Sequence, residues 1–420
     1  MRRLRHLLRH MQGGAYGGCK NFCDMSINFR EVRDQMRSEF ANIMNFWIGR
    51  MEDHEYGGFY GGREKDGELM ANADKGAILN ARILWAFSSA ARIYGKPEYK
   101  EAANRAFCYL ADFFYDKENG GFFWALDSKG KPVDTKKQAY AQGFCIYGLS
   151  EYYRQSKDQR ALDLAYETYH LIEKHFRDRV NGGYIEALAA DWTPMDDVRL
   201  SDKDENTPKS MNTHLHIIEP YANLYRACPT PELRESIVHC LDMFMNRIIN
   251  KRTGHFNLFF DMEWNVMSDI DSYGHDIEGA WLLYEAAEVI DDASLMSELK
   301  PICKRLTDIT LSEGWDGDSI FYEKVDGHID TDKHWWPQAE AMVGLADTWR
   351  LTRDESYLEK MVKVWGFIYN KIIDRKRGEW LWRTDKDGRD VYNDCKAGFW
   401  KCPYHNSRAI TEVLMRISAA

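Results

Sequence analysis

No stretch of the 420-residue chain holds the roughly 18 consecutive apolar residues that would carry a helix across a bilayer, so no part of it is read as membrane-spanning. There is no C-x-x-C pair: the nine cysteines are scattered and odd in number, which fits reduced thiols in a cytoplasmic protein and offers no disulfide framework. Neither G-x-G-x-x-G nor G-x-x-x-x-G-K-[ST] occurs, so the two common phosphate-cradling loops are absent and nucleotide-dependent chemistry is not indicated. Positive charge is in short supply as well. With 56 Lys and Arg against 66 Asp and Glu the net charge is -10, which argues against nucleic acid as a partner. The first 24 residues, MRRLRHLLRHMQGGAYGGCKNFCD, lack the roughly 7 to 15 apolar positions of a secretory signal. They read as a disordered extension or a misassigned start, with Met25 as the initiator and residues 25–420 as a single catalytic domain.

What the chain does have is aromatic residues. Fourteen Trp and twenty-three Tyr, within a 44% apolar composition, suit a large core or an aromatic-lined cleft. Many of them fall in a repeat. GGFYG at 57, GGFFW at 120, GGYIE at 182, GHFNLFF at 254, GDSIFYE at 317 and GEWLW at 378 each place glycine before a short strand-like run, at intervals of 63, 62, 72, 63 and 61 residues. A helix-period segment lies on either side of every run. Leu84, Phe87, Ala91 and Tyr94 are spaced by three and four, and Gly95 and Pro97 then supply stop signals. Corresponding helices are expected to begin near Thr135, Ser210, Asp271, Trp335 and Cys402, alternating with helices near 28–50, 98–115, 158–177, 230–249, 294–310 and 355–373.

Twelve helices in six pairs make an all-α protein. The first set, rich in Trp, Gly and small residues, reads as inner and the more charged set as outer. Neither terminal repeat has the polar outer face that would cap an open solenoid, so the pairs are expected to close into an (α/α)6 toroid, or barrel. Every glycine turn, with its hairpin-like run, then joins an outer helix to the start of an inner one. All six turns crowd one face, and a functional site belongs there.

The inner-helix starts carry Arg82, Asn212, His216, Glu219, His275, Glu278, Trp335, Trp336, Glu340, Trp400, His405 and Arg408. Any one of these has an ordinary structural explanation: a capping histidine, a packed tryptophan, a carboxylate favoured by the helix dipole. Three histidines at matching depths of different repeats are harder to explain that way. Imidazoles near positive helix ends have their protonated forms disfavoured, which suits general-base work near neutral pH. Two on opposite sides of one carbon could remove and return a proton, arginine could stabilise an enediolate, and tryptophan faces suit sugar rings. Cys402 with His405 is half of a zinc pattern, but no second pair of ligand spacing accompanies it, so no metal is expected.

ADKGAILNARILW, SYGHDIE, WWPQAEA and WKCPYHNSR together resemble, in order, the signature blocks of the cellobiose 2-epimerases within the N-acylglucosamine 2-epimerase superfamily. The resemblance covers residues 28 to 418. It implies the (α/α)6 barrel and C2 epimerisation of the reducing-end glucose of a β-1,4-linked disaccharide (cellobiose, lactose or mannosylglucose) through a cis-enediolate, with no cofactor or metal. It further implies that His275 and His405 form the acid/base pair and that His216 assists ring opening. Arg82 and Asn212 would hold the C1 and C2 oxygens, Glu278 and Glu340 would orient the histidines and sugar, and Trp336 and Trp400 would stack on the two sugar units. Trp335, Glu219 and Arg408 complete the expected binding set. Pro337 and Asn80 depart from the usual pattern and bear on the disaccharide preference. An aldose–ketose isomerase or an N-acylglucosamine 2-epimerase-like enzyme acting on a monosaccharide is the nearest alternative. An inverting glycoside hydrolase and a non-catalytic sugar-binding toroid are more distant ones. A cytoplasmic monomer is expected, with a dimer as the alternative.

Overall fold

The computed structural model describes residues 29–419, and these form twelve helices, numbered α1 to α12 in chain order. The outer set is α1 (Phe29–Met51), α3 (Pro97–Tyr109), α5 (Gln159–His175), α7 (Pro231–Met243), α9 (Ala293–Glu313) and α11 (Glu355–Phe367). A π-turn prolongs α3, α7 and α11 over Leu110–Phe114, Phe244–Ile248 and Ile368–Ile372. The inner set is α2 (Ala77–Tyr94), α4 (Ala139–Ser156), α6 (Met211–Ala227), α8 (Tyr273–Val289), α10 (Trp335–Thr352) and α12 (Tyr404–Ala419). Each inner helix packs on the next around the ring, and α12 packs on both α2 and α1. The expected (α/α)6 toroid is therefore closed by its two ends. Indole nitrogens fasten the seam: Trp47 Nε1 donates to Glu379 at 3.1 Å, Trp380 Nε1 to Glu39 at 2.9 Å and Trp365 Nε1 to Gln35 at 3.0 Å. The stretch 1–24, expected to be an extension or a misassigned start, lies outside the described residues.

The inner helices are buried nearly all round; every residue of α2 from Ala77 to Ala91 is shielded from solvent, as befits a helix with no polar face. Glycine lets them approach closely. A Cβ on Gly143 of α4 would stand 2.3 Å from the His216 carbonyl oxygen of α6, and one on Gly344 of α10 would stand 2.7 Å from the Ile277 carbonyl of α8.

Short strands stitch one repeat to the next on the face where the inner helices begin. β1 (Lys75–Gly76) pairs antiparallel with β2 (Ala125–Leu126), which also pairs with β3 (Pro132–Asp134), and β4 (Lys137–Gln138) pairs with β5 (Ala187–Leu188). In the same way β6 (Lys209–Ser210) pairs with β7 (Phe259–Phe260), β8 (Ile270–Ser272) with β9 (Glu323–Val325), and β11 (Lys333–His334) with β12 (Arg383–Thr384). The remaining strand, β10 (His328–Asp330), makes a hairpin with β9. These pairings explain why α4 begins at Ala139 rather than near Thr135: Lys137 and Gln138 are extended and bonded in the ladder.

Sequence reasoning did not anticipate a tie that recurs under the glycine turns. The turn opens on a residue whose side chain accepts backbone N–H groups two and three residues on, as Asp53, Asp116, Asp178, Asn250 and Asp374 do. A buried lysine then meets the aspartate: Lys75 and Asp53 at 2.6 Å, Lys137 and Asp116 at 2.8 Å, Lys209 and Asp178 at 2.7 Å, Lys396 and Asp374 at 2.7 Å, and Lys333 with Asp316. Only the fourth repeat lacks it, having Asn250 and Asp271 at the two positions. Among the described residues the seven cysteines are free thiols, and no helix is long and apolar enough to cross a membrane.

Candidate active site

A cavity of about 340 Å³ opens at the centre of the face where the inner helices start. Of the residues expected there, Arg82 (α2), Asn212 and His216 (α6), His275 and Glu278 (α8), Trp335 and Trp336 (α10), Trp400 (before α12) and His405 (α12) line it. Glu219, Glu340 and Arg408 do not. They lie beneath it, with Arg408 fully buried at their centre. Arg408 Nη1 donates to Glu219, and Nη2 donates to Glu278 at 2.8 Å and to Glu340 at 2.7 Å. These three residues support the site from behind rather than form its wall.

Each histidine has one nitrogen engaged. His405 Nδ1 lies 2.6 Å from Glu340 Oε1, His216 Nδ1 3.0 Å from Glu219 Oε2, and His275 Nδ1 2.8 Å from Ser272 Oγ. A carboxylate can only accept, so it fixes the Nδ1–H tautomer and leaves Nε2 with its lone pair. Trp336 is a neighbour of both His275 and His405, its indole centroid 4.7 Å from the His275 ring and 5.8 Å from the His405 ring. His275 and His405 are therefore no further apart than the sum of those distances. His216 packs 4.9 Å from both Tyr140 and Phe144. Arg82 is held by a 2.7 Å bond from Nη2 to the Tyr140 hydroxyl and lies 4.2 Å over the Phe144 ring. Its Nε, with Asn212 Oδ1 and Glu278 Oε2, is buried without a protein partner, and all three residues line the cavity.

Burial is the first cause of the site's protonation states. It pushes the His275 imidazole down to about 3, assisted by His216, and it pushes His405 well below its ordinary value with help from the Arg82 and Arg408 charges. Sequence reasoning credited the helix ends with this effect; removal from water is the larger cause. Three carboxyl groups share one guanidinium. Burial would raise Glu219, but Arg408 and the His216 hydrogen bond hold it down at about 2, whereas burial and the nearby Glu340 drive Glu278 well up. Glu278 Oε2 is 4.0 Å from His216 Nε2.

The buried neutral histidines predict an acid limit on stability. His275 and His334 at about 3 and His214 at about 4 stay unprotonated when folded, yet bind a proton near 6.5 once unfolded. The stability they contribute is complete above pH 6.5 and is lost as pH falls toward the folded values. Thermal unfolding followed from pH 7.5 to 4.5 is expected to show the midpoint falling steadily below pH 6.5; a flat profile would contradict these assignments.

Three clusters among the described residues bring histidine and carboxylate ligand atoms together: Glu278, Glu340 and His405; His255, Asp271 and Glu313; and Asp330, Asp332 and His334. Each already holds a protein cation, respectively Arg408, Lys324 and Arg383, so a metal would have to displace it. The donor sets do not fit a resident metal. Nor do Glu278 and Glu340 suit hydrolysis by inversion, since both sit on one arginine nitrogen instead of flanking a water-sized gap.

Sequence reasoning missed several lining residues, among them Tyr140, Glu186, Asp204, Tyr322, His334 and Trp382. Two signals could have found some of them. Tyr140 is the second residue of its inner helix, as Asn212 and Trp336 are of theirs. Asp204 lies in the loop between β5 and β6, which carries the extra residues of the 72-residue interval and whose residues 198–201 and 203–205 reach the cavity.

Comparison with known proteins follows the same lines. The pattern of the family described as N-acylglucosamine 2-epimerase (GlcNAc 2-epimerase) matches residues 58–409. The cellobiose 2-epimerase of Bacteroides fragilis is 48% identical over 387 residues, covering 91% of this chain and 98% of that one. That of Dictyoglomus turgidum is 35% identical over 395 residues, covering 94% and 100%. The solved cellobiose 2-epimerase of Bacillus thermoamylovorans superposes with a TM-score of 0.88 at 35% identity, covering 93% of this chain and all of that one.

Proposed function

The chain belongs to the N-acylglucosamine 2-epimerase family, and from that premise we propose that it inverts C2 of the reducing-end glucose of a β-1,4-linked disaccharide, with cellobiose as the first substrate to test. The observation that carries this reading is the pair His275 and His405. Their rings come from separate inner helices, both neighbour the Trp336 indole, and each has Nδ1 engaged so that Nε2 is free for a ligand.

The sugar enters as a closed ring. His216, whose Nε2 keeps its lone pair, takes the proton of the C1 hydroxyl and, as the imidazolium, delivers it to the ring oxygen, giving the open aldehyde. One of the two imidazoles takes the C2 hydrogen as a proton, and the electron pair moves onto the carbonyl to give a cis-enediolate. Arg82, whose Nε has no protein partner, faces the negative charge that develops there. The imidazole on the other side, which takes up a proton from water as the enediolate charge builds beside it, returns that proton to the opposite face of C2; the first imidazolium gives its proton up to water, and ring closure gives the manno product. The two histidines exchange roles in the reverse direction. Trp336 and Trp400, both at the cavity wall, present apolar faces to the sugar units.

Incubation with cellobiose in heavy water tests the reading. Glucosyl-mannose carrying one deuterium at C2 is expected by NMR and mass spectrometry. Epimerised product without solvent label would overturn the two-histidine route, and accumulation of a ketose would mean that the proton returns to C1.

A further inference from the structure

Each of the six glycine turns ends in one antiparallel bridge, and one position immediately before the bridged residue is equivalent in all six. It precedes Phe59, Phe122, Tyr184, Phe256, Ile320 and Trp380, and it is occupied by Gly58, Gly121, Gly183, His255, Ser319 and Glu379. Facing this turn is a polar residue in the first turn of the inner helix. Gln142 accepts the Phe122 N–H at 2.9 Å and returns its amide to the Phe122 carbonyl at 2.8 Å; Gln338 does the same with Ile320 at 3.0 and 2.8 Å. His214 Nε2 accepts the Tyr184 N–H at 2.9 Å. The turn position is ionisable only in the fourth and sixth repeats, whose inner helices carry His275 and His405.

In both repeats the ionisable residue grips the neighbour of that histidine. His255 Nδ1 is 2.6 Å from Asp276 Oδ2, and Asp276, which follows His275, accepts the Phe256 N–H on its other oxygen at 2.9 Å. Glu379 accepts from Asn406 Nδ2 at 2.7 Å and from Lys401 Nζ at 2.5 Å, and Asn406 follows His405. His255, Asp276, Glu379 and Asn406 are all at most 2% exposed.

We propose that His255 and Glu379 are positioning residues that fix His275 and His405 through Asp276 and Asn406, a proposal that rests on reading those two histidines as the acid/base pair. The second, third and fifth repeats hold the same joint with neutral bonds to backbone. Here the joint contains a charged partner, and such bonds are about twice as strong as neutral ones. The His255 imidazole is lowered by burial, but its bond to Asp276 and the charges of Asp276, Asp271 and Glu313 offset this and leave it above its ordinary value. The bracing extends beyond the pair. Lys324 sits 2.6 Å from Asp271 and 2.9 Å from Glu313, while His255 Nε2 lies 3.9 Å and 3.5 Å from the same carboxylates. Asp271 precedes Ser272, whose hydroxyl bonds His275 Nδ1 at 2.8 Å. His275 is thus tied to fixed groups on both sides in sequence. Such precision matters because a displacement of about 1 Å in a reacting group can cost about a hundredfold in rate.

The double variant H255G/D276Q replaces the charged joint with the Gly121 and Gln142 pair already used by the second repeat. It is expected to fold, as judged by circular dichroism and the thermal midpoint, and to keep KM for cellobiose within about twofold while kcat falls about ten- to a hundredfold. A folded double variant with unchanged kcat would overturn the proposal. Should it fail to fold, D276N keeps an oxygen for the Phe256 N–H while removing the charge, and the same loss of kcat at constant KM is expected; unchanged kcat in D276N refutes the proposal. E379Q reads the sixth repeat by the same criterion. His275→Ala, assayed in parallel, separates the two claims. If it still inverts C2 at more than about a tenth of the normal rate, the acid/base reading fails; if inversion is lost and H255G/D276Q is normal, only the positioning role fails.

Discussion

Replacing His405 with alanine is expected to lower epimerisation of cellobiose by about a thousandfold, the usual scale for losing a general acid/base group, with KM little changed. The sugar would still meet Arg82, Trp336 and Trp400 at the cavity wall. The fold should survive, because Glu340 keeps its bonds from Arg408 at 2.7 Å and from Trp281 Nε1 at 3.1 Å when the imidazole is gone. The informative readout is the fate of the C2 proton in heavy water. With His275 alone remaining, a proton can be removed and returned on one face only, so slow labelling of unreacted cellobiose without inversion is the expected residual activity. Inversion at more than about a tenth of the normal rate would show that His405 is not half of the pair.

The largest effect on stability is expected from Arg408→Met. The methionine roughly fills the space but leaves Glu219, Glu278 and Glu340 buried together, and breaking a buried ionic cluster in this way costs about 3–5 kcal/mol. The pH dependence identifies the cause. In the intact protein Glu219 is held down at about 2 against an ordinary 4.5, so its contribution is present above pH 4.5 and is lost as pH falls toward 2. Without the guanidinium, burial and mutual repulsion raise the folded-state values instead. The sign then reverses, and the penalty grows as pH rises past 4.5. Urea unfolding of Arg408→Met should therefore show a larger deficit at pH 8 than at pH 5. A deficit independent of pH would mean that Arg408 acts by packing alone.

The repeat made the architecture legible. Glycine followed by aromatics at intervals near sixty residues located all twelve helices, and the outer set begins within two residues of where it was expected. Periodicity reports which face of a helix a residue occupies; it does not report depth. That is why Glu219 and Arg408 were expected in the wall of the cavity and lie below it, while Glu278, also expected there, does reach it. The charged joints were hidden for a related reason. His255 and Glu379 look like surface residues of a turn until the six turns are compared in space, where glycine or serine occupies the other four positions.

The way the ring closes also sets the order in which the protein becomes competent. Helix α12, which carries His405, packs against α1 and α2, from the opposite end of the chain. A nascent polypeptide can stack its early repeats as they leave the ribosome, but the last of the three histidines takes its place only when the final helix docks. Until then the growing molecule has an open flank and only part of its chemistry, so assembly of the scaffold and onset of turnover coincide in a single late event.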